Sequence, residues 1–262
     1  MKKGICMGCL PGETVDDKFK LAKETGFDGV ELPGDGSGED MAAWKSAADA
    51  AGLETPSIMG GLHWSHPLSS PDPDVRSECN ESIKTNLRQA KTIGAAAVLL
   101  VPAVVNAEAT YEEAWERSIA EVKDIAPVAE ETGVVLALEN VWNKFLLSPI
   151  EFKQYVNEAG SEMVQAYFDC GNIMAYGFPE QWIRSLGDQI FKIHVKGFTN
   201  YPNLAFPKSL DSDVPWAACR EAWLEIGYDD YLTVEIGPDP DDPEGSIQTY
   251  SEQLDKIIAG EL

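Results

Sequence analysis

Apolar strand-like runs and amphipathic helical segments alternate eight times along this chain, and that alternation restricts its fold more than any other feature. Lys3 to Met7 predicts a first strand. TVDDKFKLAKETGF follows with Val15, Phe19 and Ala22 at helical spacing and Gly26 as a stop. DGVELPG predicts a second strand ending in Glu31, and LETPSIMG a third, which opens into the polar, proline-rich loop GGLHWSHPLSSPDPD. The uninterrupted apolar run AAAVLLVPA predicts a strand covered on both faces. Thr110 with Glu113 forms a capping box for the next helix; Ser148, Pro149 and Glu151 give a cap, a first-turn proline and a box partner for the one after. Strict β–α alternation implies a parallel sheet. Eight units in 262 residues, with no segment left over, predict a closed (β/α)8 TIM barrel forming a single domain over residues 1–262. The first strand is not followed by G-x-G-x-x-G, which removes the main support for a dinucleotide-binding sheet.

Four consecutive strands end in polar residues: VVLALEN in Glu139, the run from Val164 in Asp169, the run from Ile190 in His194 and YLTVEIG in Glu235. Parallel strands joined by crossover helices present these ends on one face, where sites collect. Three carboxylates buried side by side are prohibitive unless a positive charge neutralises them. The sequence offers one imidazole there and few cations, so a divalent metal is the economical solution. Oxygen-rich ligation with one histidine suits Mn²⁺ foremost, with Mg²⁺, Co²⁺ or Zn²⁺ compatible.

Composition narrows the partners. A net charge of −24 opposes binding of nucleic acid or an anionic membrane through the general surface field. No apolar window is long enough to span a bilayer, and the basic start MKKGICMGCLPG lacks the apolar stretch of a signal peptide. Five cysteines, an odd number in a long chain, predict a reduced, cytoplasmic setting. Cys6 and Cys9 make a lone C-x-x-C, which is better explained by small residues at the end of a strand than by zinc.

LENVWNKFLLSP, FDCGN, WIRSLGDQIFKIHVK and GYDDYLTVEI, together with HW-x-HPLSSPD after the third strand, resemble the sugar phosphate isomerase/epimerase family of xylose isomerase-like TIM barrels over nearly the whole chain. The resemblance implies a metal-dependent sugar isomerase or epimerase working through an enediolate. Glu139, Asp169, His194 and Glu235 would hold the metal, with Glu139 and Glu235 doubling as acid and base. It also implies a homo-oligomer, since relatives are often dimers or tetramers. A lyase or dehydratase acting on a keto sugar begins with the same proton abstraction, and the sequence leaves that alternative open. Phosphodiester hydrolysis on the related apurinic endonuclease barrel is disfavoured, because three histidines are too few for a multi-zinc site. Three departures bear on the substrate pocket. Asn172 stands where ketose epimerases carry a histidine, a second glutamate after the fifth strand is replaced near Leu146, and VKGF, with Gly197, replaces VKDF.

Further residues are expected to contact substrate. His63 and Trp64 lie at the mouth or pack their loop, Trp142 and Lys144 wall the pocket or anchor theirs, and Lys196 shares the strand face of His194. Glu31 either accepts a hydrogen bond from a sugar hydroxyl or forms an ion pair at the rim. Loop eight, GPDPDDPEG, would repel a phosphate, so an uncharged small-molecule sugar held by Trp64, Trp142 and other aromatics is expected.

Overall fold

The computed structural model describes residues 1–34, 37–200 and 202–262. Eight parallel strands close into a barrel in chain order: β1 (Lys2–Cys6), β2 (Gly29–Pro33), β3 (Ser57–Met59), β4 (Ala97–Leu100), β5 (Val135–Glu139), β6 (Val164–Asp169), β7 (Ile190–Val195) and β8 (Tyr231–Val234). Closure comes from β1 pairing with β8, Lys3 opposite Leu232. Outside the strands lie helices α1 (Val15–Glu24), α2 (Gly38–Ala51), α3 (Pro73–Ile93), α4 (Tyr111–Thr132), α5 (Pro149–Ala159), α6 (Cys170–Ile173), α7 (Pro179–Leu186), α8 (Trp216–Glu225) and α9 (Pro243–Ala259).

The expected helix starts are present. Thr110 and Glu113 exchange reciprocal hydrogen bonds at the head of α4, and the Ser148 hydroxyl accepts from the Glu151 N–H at the head of α5. Three expectations need correction. The third strand is three residues long, because Pro56 has no N–H to give the ladder. The alternation has a spare piece: the single turn α6 follows β6 directly and precedes α7. Strand β2 also runs to Pro33, so Glu31 lies inside it and not at its end.

Alternation along each strand sorts the side chains. One set, including Ile5, Val30, Leu136, Phe168, Ile193 and Leu232, faces the helices and joins Phe19, Leu87, Val122, Trp182 and Leu254 in the main core. The other set points into the barrel. There, Ala97, Leu99, Val135, Ala137 and Tyr167 form a separate apolar cluster, and above it lie the polar ends of β5 to β8. The barrel is thus a packed interior with a chemical rim.

Replacing Thr110 with Ala removes half of the capping box of α4 while leaving every barrel contact in place. It is expected to lower stability by about 1 kcal/mol, seen as a lower urea midpoint at unchanged slope.

Candidate active site

Side chains from β5, β6, β7 and the residue after β8 converge at the C-terminal end of the barrel. One ligand atom each from Glu139, Asp169, His194 and Glu235 lies within 4.8 Å of all the others. Asp169 and His194 are register partners on adjacent strands. His194 Nδ1 stands 2.9 Å from Glu139 Oε1 and 3.7 Å from Glu235 Oε2, and its Nε2 stands 3.0 Å from Glu31 Oε1. Burial alone would drive the charge off this imidazole. Glu31, Glu139 and Glu235 outweigh burial and hold its pKa well above the ordinary range.

The acids divide by environment. Burial, then the neighbouring charge of Glu235, pushes Glu139 up to about 7 against the pull of His194. Burial also raises Asp169, although Lys196 opposes it. Glu235 is partly buried, which also favours the neutral form, but Lys196 and His194 prevail and its pKa falls. Two carboxylates driven in opposite directions make an acid and a base available at one pH.

Lys196 corrects part of the charge argument. Its ammonium donates to Glu235 and lies 3.2 Å from Asp169 Oδ2, so one lysine already answers the acids. Its closest polar partners are therefore carboxylates. Four carboxylates (Glu31, Glu139, Asp169, Glu235) still face two cationic side chains (His194, Lys196), leaving a deficit of two charges when all are ionised. Asp169 Oδ2 is buried and has the Lys196 ion pair as its polar contact, with no hydrogen bond donated to it. Three carboxylates and one imidazole nitrogen, with their ligand atoms all within 4.8 Å of one another, fit a hard or borderline divalent cation.

Beside this cluster is a cavity of about 200 Å³ lined by His63, Trp64, Glu139, Trp142, Asn172, Lys196, Phe206 and Glu235, with Met59 and Val141 completing it. His63 is buried, which lowers its pKa to about 4 and keeps the ring neutral. Trp64 is half exposed and meets His63 edge-on. The Trp142 indole N–H donates to the Asn172 carbonyl at 2.9 Å, and its ring packs against Phe198 and Phe206. Asn172 donates its backbone N–H to Asp169 Oδ1 and its side-chain amide to the Asn140 carbonyl. Lys144 is exposed, with φ of +60°.

Glu31 is not brought to the cavity. It is buried below His194, where its carboxylate accepts from Ser57 Oγ at 2.6 Å, Tyr167 Oη at 2.8 Å and Cys6 Sγ at 3.4 Å. Of the two expectations for Glu31, the ion pair is the one present, made to His194 in the interior and not at the rim. All five cysteines are free, and Cys6 belongs to the network: its thiol lies with Glu31 and His194 in a second group close enough to hold a metal ion, which does not include Cys9. Sequence reasoning missed Asn140, whose side chain bridges β5 to β6 by accepting from the Asp169 N–H and donating to the Asp169 carbonyl. Its place in LEN, directly after a strand-end acid, was the available signal.

A family model described as the xylose isomerase-like TIM barrel matches residues 19–257. The chain is similar to L-ribulose-5-phosphate 3-epimerase UlaE of Salmonella heidelberg, with 27% identity over 239 residues covering 86% of this chain and 83% of that protein. Among solved structures it is similar to a D-tagatose 3-epimerase-like protein (TM-score 0.86, 19% identity, covering 100% of this chain and 98% of that one). It is also similar to 3-keto-D-glucoside 4-epimerase, YcjR, from E. coli (TM-score 0.83, 18% identity, 99% of both chains). At these identities the structural likeness carries the fold.

Lys196→Met would strip Asp169 and Glu235 of their ammonium. Glu235 is partly exposed, so the expected loss is about 2 kcal/mol in chelator-treated protein, below the range for a fully buried pair. Denaturant unfolding measures it.

Proposed function

Because the chain belongs to the xylose isomerase-like TIM barrel family, we propose that it is a metal-dependent sugar epimerase or isomerase acting on a keto sugar through an enediolate. The observation that carries this reading is the meeting of Glu139, Asp169, His194 and Glu235 at one barrel end, with Glu139 and Glu235 pushed to opposite sides of the ordinary carboxylate range. Relatives named as 3-epimerases support epimerisation over the lyase alternative.

Glu139, Asp169, His194 Nδ1 and Glu235 would hold the cation. When bound, the metal supplies Lewis-acid stabilisation of the negative charge that develops on the carbonyl and hydroxyl oxygens. Glu235, kept ionised by Lys196 and His194, takes the proton from the carbon beside the carbonyl. Glu139, whose pKa sits near neutrality, returns a proton to the opposite face. His63 stays neutral at the cavity wall. Trp64 and Trp142 offer apolar ring faces to a sugar's C–H surface.

We further infer that the sugar is unphosphorylated. Barrels that bind phosphate use loops seven and eight and a helix N-terminus. Here Asp242 itself caps α9, with Glu244 in the first turn, so carboxylates fill that position. Lys208 brings its ammonium beside Gly237 at the same rim, where it faces an acidic loop.

Incubation with Mn²⁺ and a panel of keto sugars in D₂O is expected to place deuterium on the carbon beside the carbonyl and to give a stereoisomer, not a product lighter by water. Glu139→Gln and Glu235→Gln are each expected to slow exchange by about 10²- to 10⁴-fold. Exchange into sugar phosphates alone would overturn the unphosphorylated assignment. Metal must displace the proton from His194 Nδ1, which neighbouring carboxylates hold well above its ordinary range, so apparent Mn²⁺ affinity is expected to rise with pH through and above neutrality, with proton release seen by calorimetry in buffers of different ionisation heat.

A further inference from the structure

An imidazole can give only one nitrogen's lone pair to a cation while the other keeps its proton. The proton's location therefore decides whether a histidine ligand is available at all. His194 is fully buried and meets carboxylates at both nitrogens. On the Nδ1 side lie Glu139 and Glu235, at the rim. On the Nε2 side lies Glu31, one layer deeper in the barrel, at 3.0 Å.

We propose that Glu31 is a positioning residue that holds the Nε2 proton of His194, so that Nδ1 is the nitrogen that gives up its proton and lends its lone pair to the cation held with Glu139, Asp169 and Glu235. This rests on the metal reading of the site. Glu31 is suited to the task because it is itself saturated with donors. Ser57 and Tyr167 give their hydroxyl protons to Oε2, at 2.6 and 2.8 Å, and the Cys6 thiol lies 3.4 Å from Oε1. A carboxylate that accepts from all sides has no proton of its own to offer Nε2, so the hydrogen bond between them runs from imidazole to Glu31. The Tyr167 ring also lies against the imidazole, with centroids 4.3 Å apart, and so limits its rotation. The network joins five strands of the barrel, β1, β2, β3, β6 and β7. A polar cluster that served only to fill the barrel would have no need to face the second nitrogen of a ligand.

The experiment compares wild type, Glu31→Gln, Tyr167→Phe and Asp169→Asn. Each is titrated with Mn²⁺, and His194 is followed by ¹⁵N NMR in the metal-free and Zn²⁺-loaded proteins. In wild type, Zn²⁺-loaded His194 should carry its proton on Nε2. The amide of Glu31→Gln can donate to Nε2 and so favour the Nδ1–H form. The expected result is a rise in that form in the metal-free variant and a loss of Mn²⁺ affinity of about 10- to 100-fold. Glu31→Gln affinity within twofold of wild type, with Nε2–H retained, would overturn the proposal.

Tyr167→Phe keeps the ring against His194 and removes one donor from Glu31, so it serves if Glu31→Gln does not fold. Its expected effect is a severalfold loss of Mn²⁺ affinity, and an unchanged affinity counts against the proposal. Failure of the underlying reading looks different: wild type would take up no Mn²⁺, or Asp169→Asn would bind it as well as wild type, and the inference would fall with that reading.

Discussion

His194 joins two layers of carboxylate inside a barrel that gives them no bulk water. Its Nδ1 meets Glu139 at the rim and its Nε2 meets Glu31 one layer down, both near 3 Å. Desolvation makes each of these charges expensive alone, so their positions are mutually dependent. Glu31 keeps a lowered pKa despite burial because His194, Ser57 and Tyr167 all favour its ionised form. Glu139 has fewer such partners and drifts toward neutrality. One imidazole thus stabilises the lower acid fully and the upper one incompletely, and the unbalanced charge gathers at the open end of the barrel.

Rigid strands bear the proposed ligands, whereas loops bear the pocket. Glu139, Asp169 and His194 are the last or next-to-last residues of their strands, and the Asn140 side chain ties the first two strands together. Trp142 lies on a loop whose backbone takes φ of +60° at Lys144 and +54° at Leu146, a costly region for side-chain-bearing residues. That conformation is held by neighbours: Asn143 donates to the Ala103 carbonyl and accepts from the Phe145 N–H, while the Tyr111 hydroxyl accepts from the Leu146 N–H. The buried Leu146, near which the family resemblance implies a glutamate, is therefore part of what keeps the loop in place.

Much of the frame was legible because it depends on local chemistry. The Thr110 and Ser148 caps are specified within one helical turn of sequence, and the four strand-end residues follow from where apolar runs stop. Glu31 was misplaced because DGVELPG does not reveal that β2 continues through Leu32 to Pro33. Two more residues of strand move that acid from the rim into the interior. Lys196 could be assigned to the face of His194, yet its pairing with Asp169 and Glu235 depends on a long-range contact. At Gly171 an added Cβ would lie 2.5 Å from Lys196 Cγ, so the lysine stem needs the absence of a side chain on a neighbouring segment. Single-strand periodicity carries no information of that kind. The network of Cys6, Ser57 and Tyr167 draws on three separate strands and was illegible for the same reason.

Gly197 links the departures from the family pattern to the pocket's shape. A Cβ there would sit 1.9 Å from the Ser209 carbonyl oxygen, a contact no side chain can make. The aspartate expected in VKDF would therefore force the connection between β7 and α8 away from the barrel. With glycine present, that connection folds back, bridging Thr199 to Ala205 and setting the Phe206 ring against Trp142 and over the Lys196 ammonium at 5.4 Å. A cation against an aromatic face, inside an apolar roof, is further shielded from water. Gly197, Phe206 and Trp142 thus act as one feature. They shape the mouth of the cavity while the residues proposed to hold the metal stay on the strands beneath or directly after them, so the acidic cluster and the shape of its opening are set by different parts of this barrel.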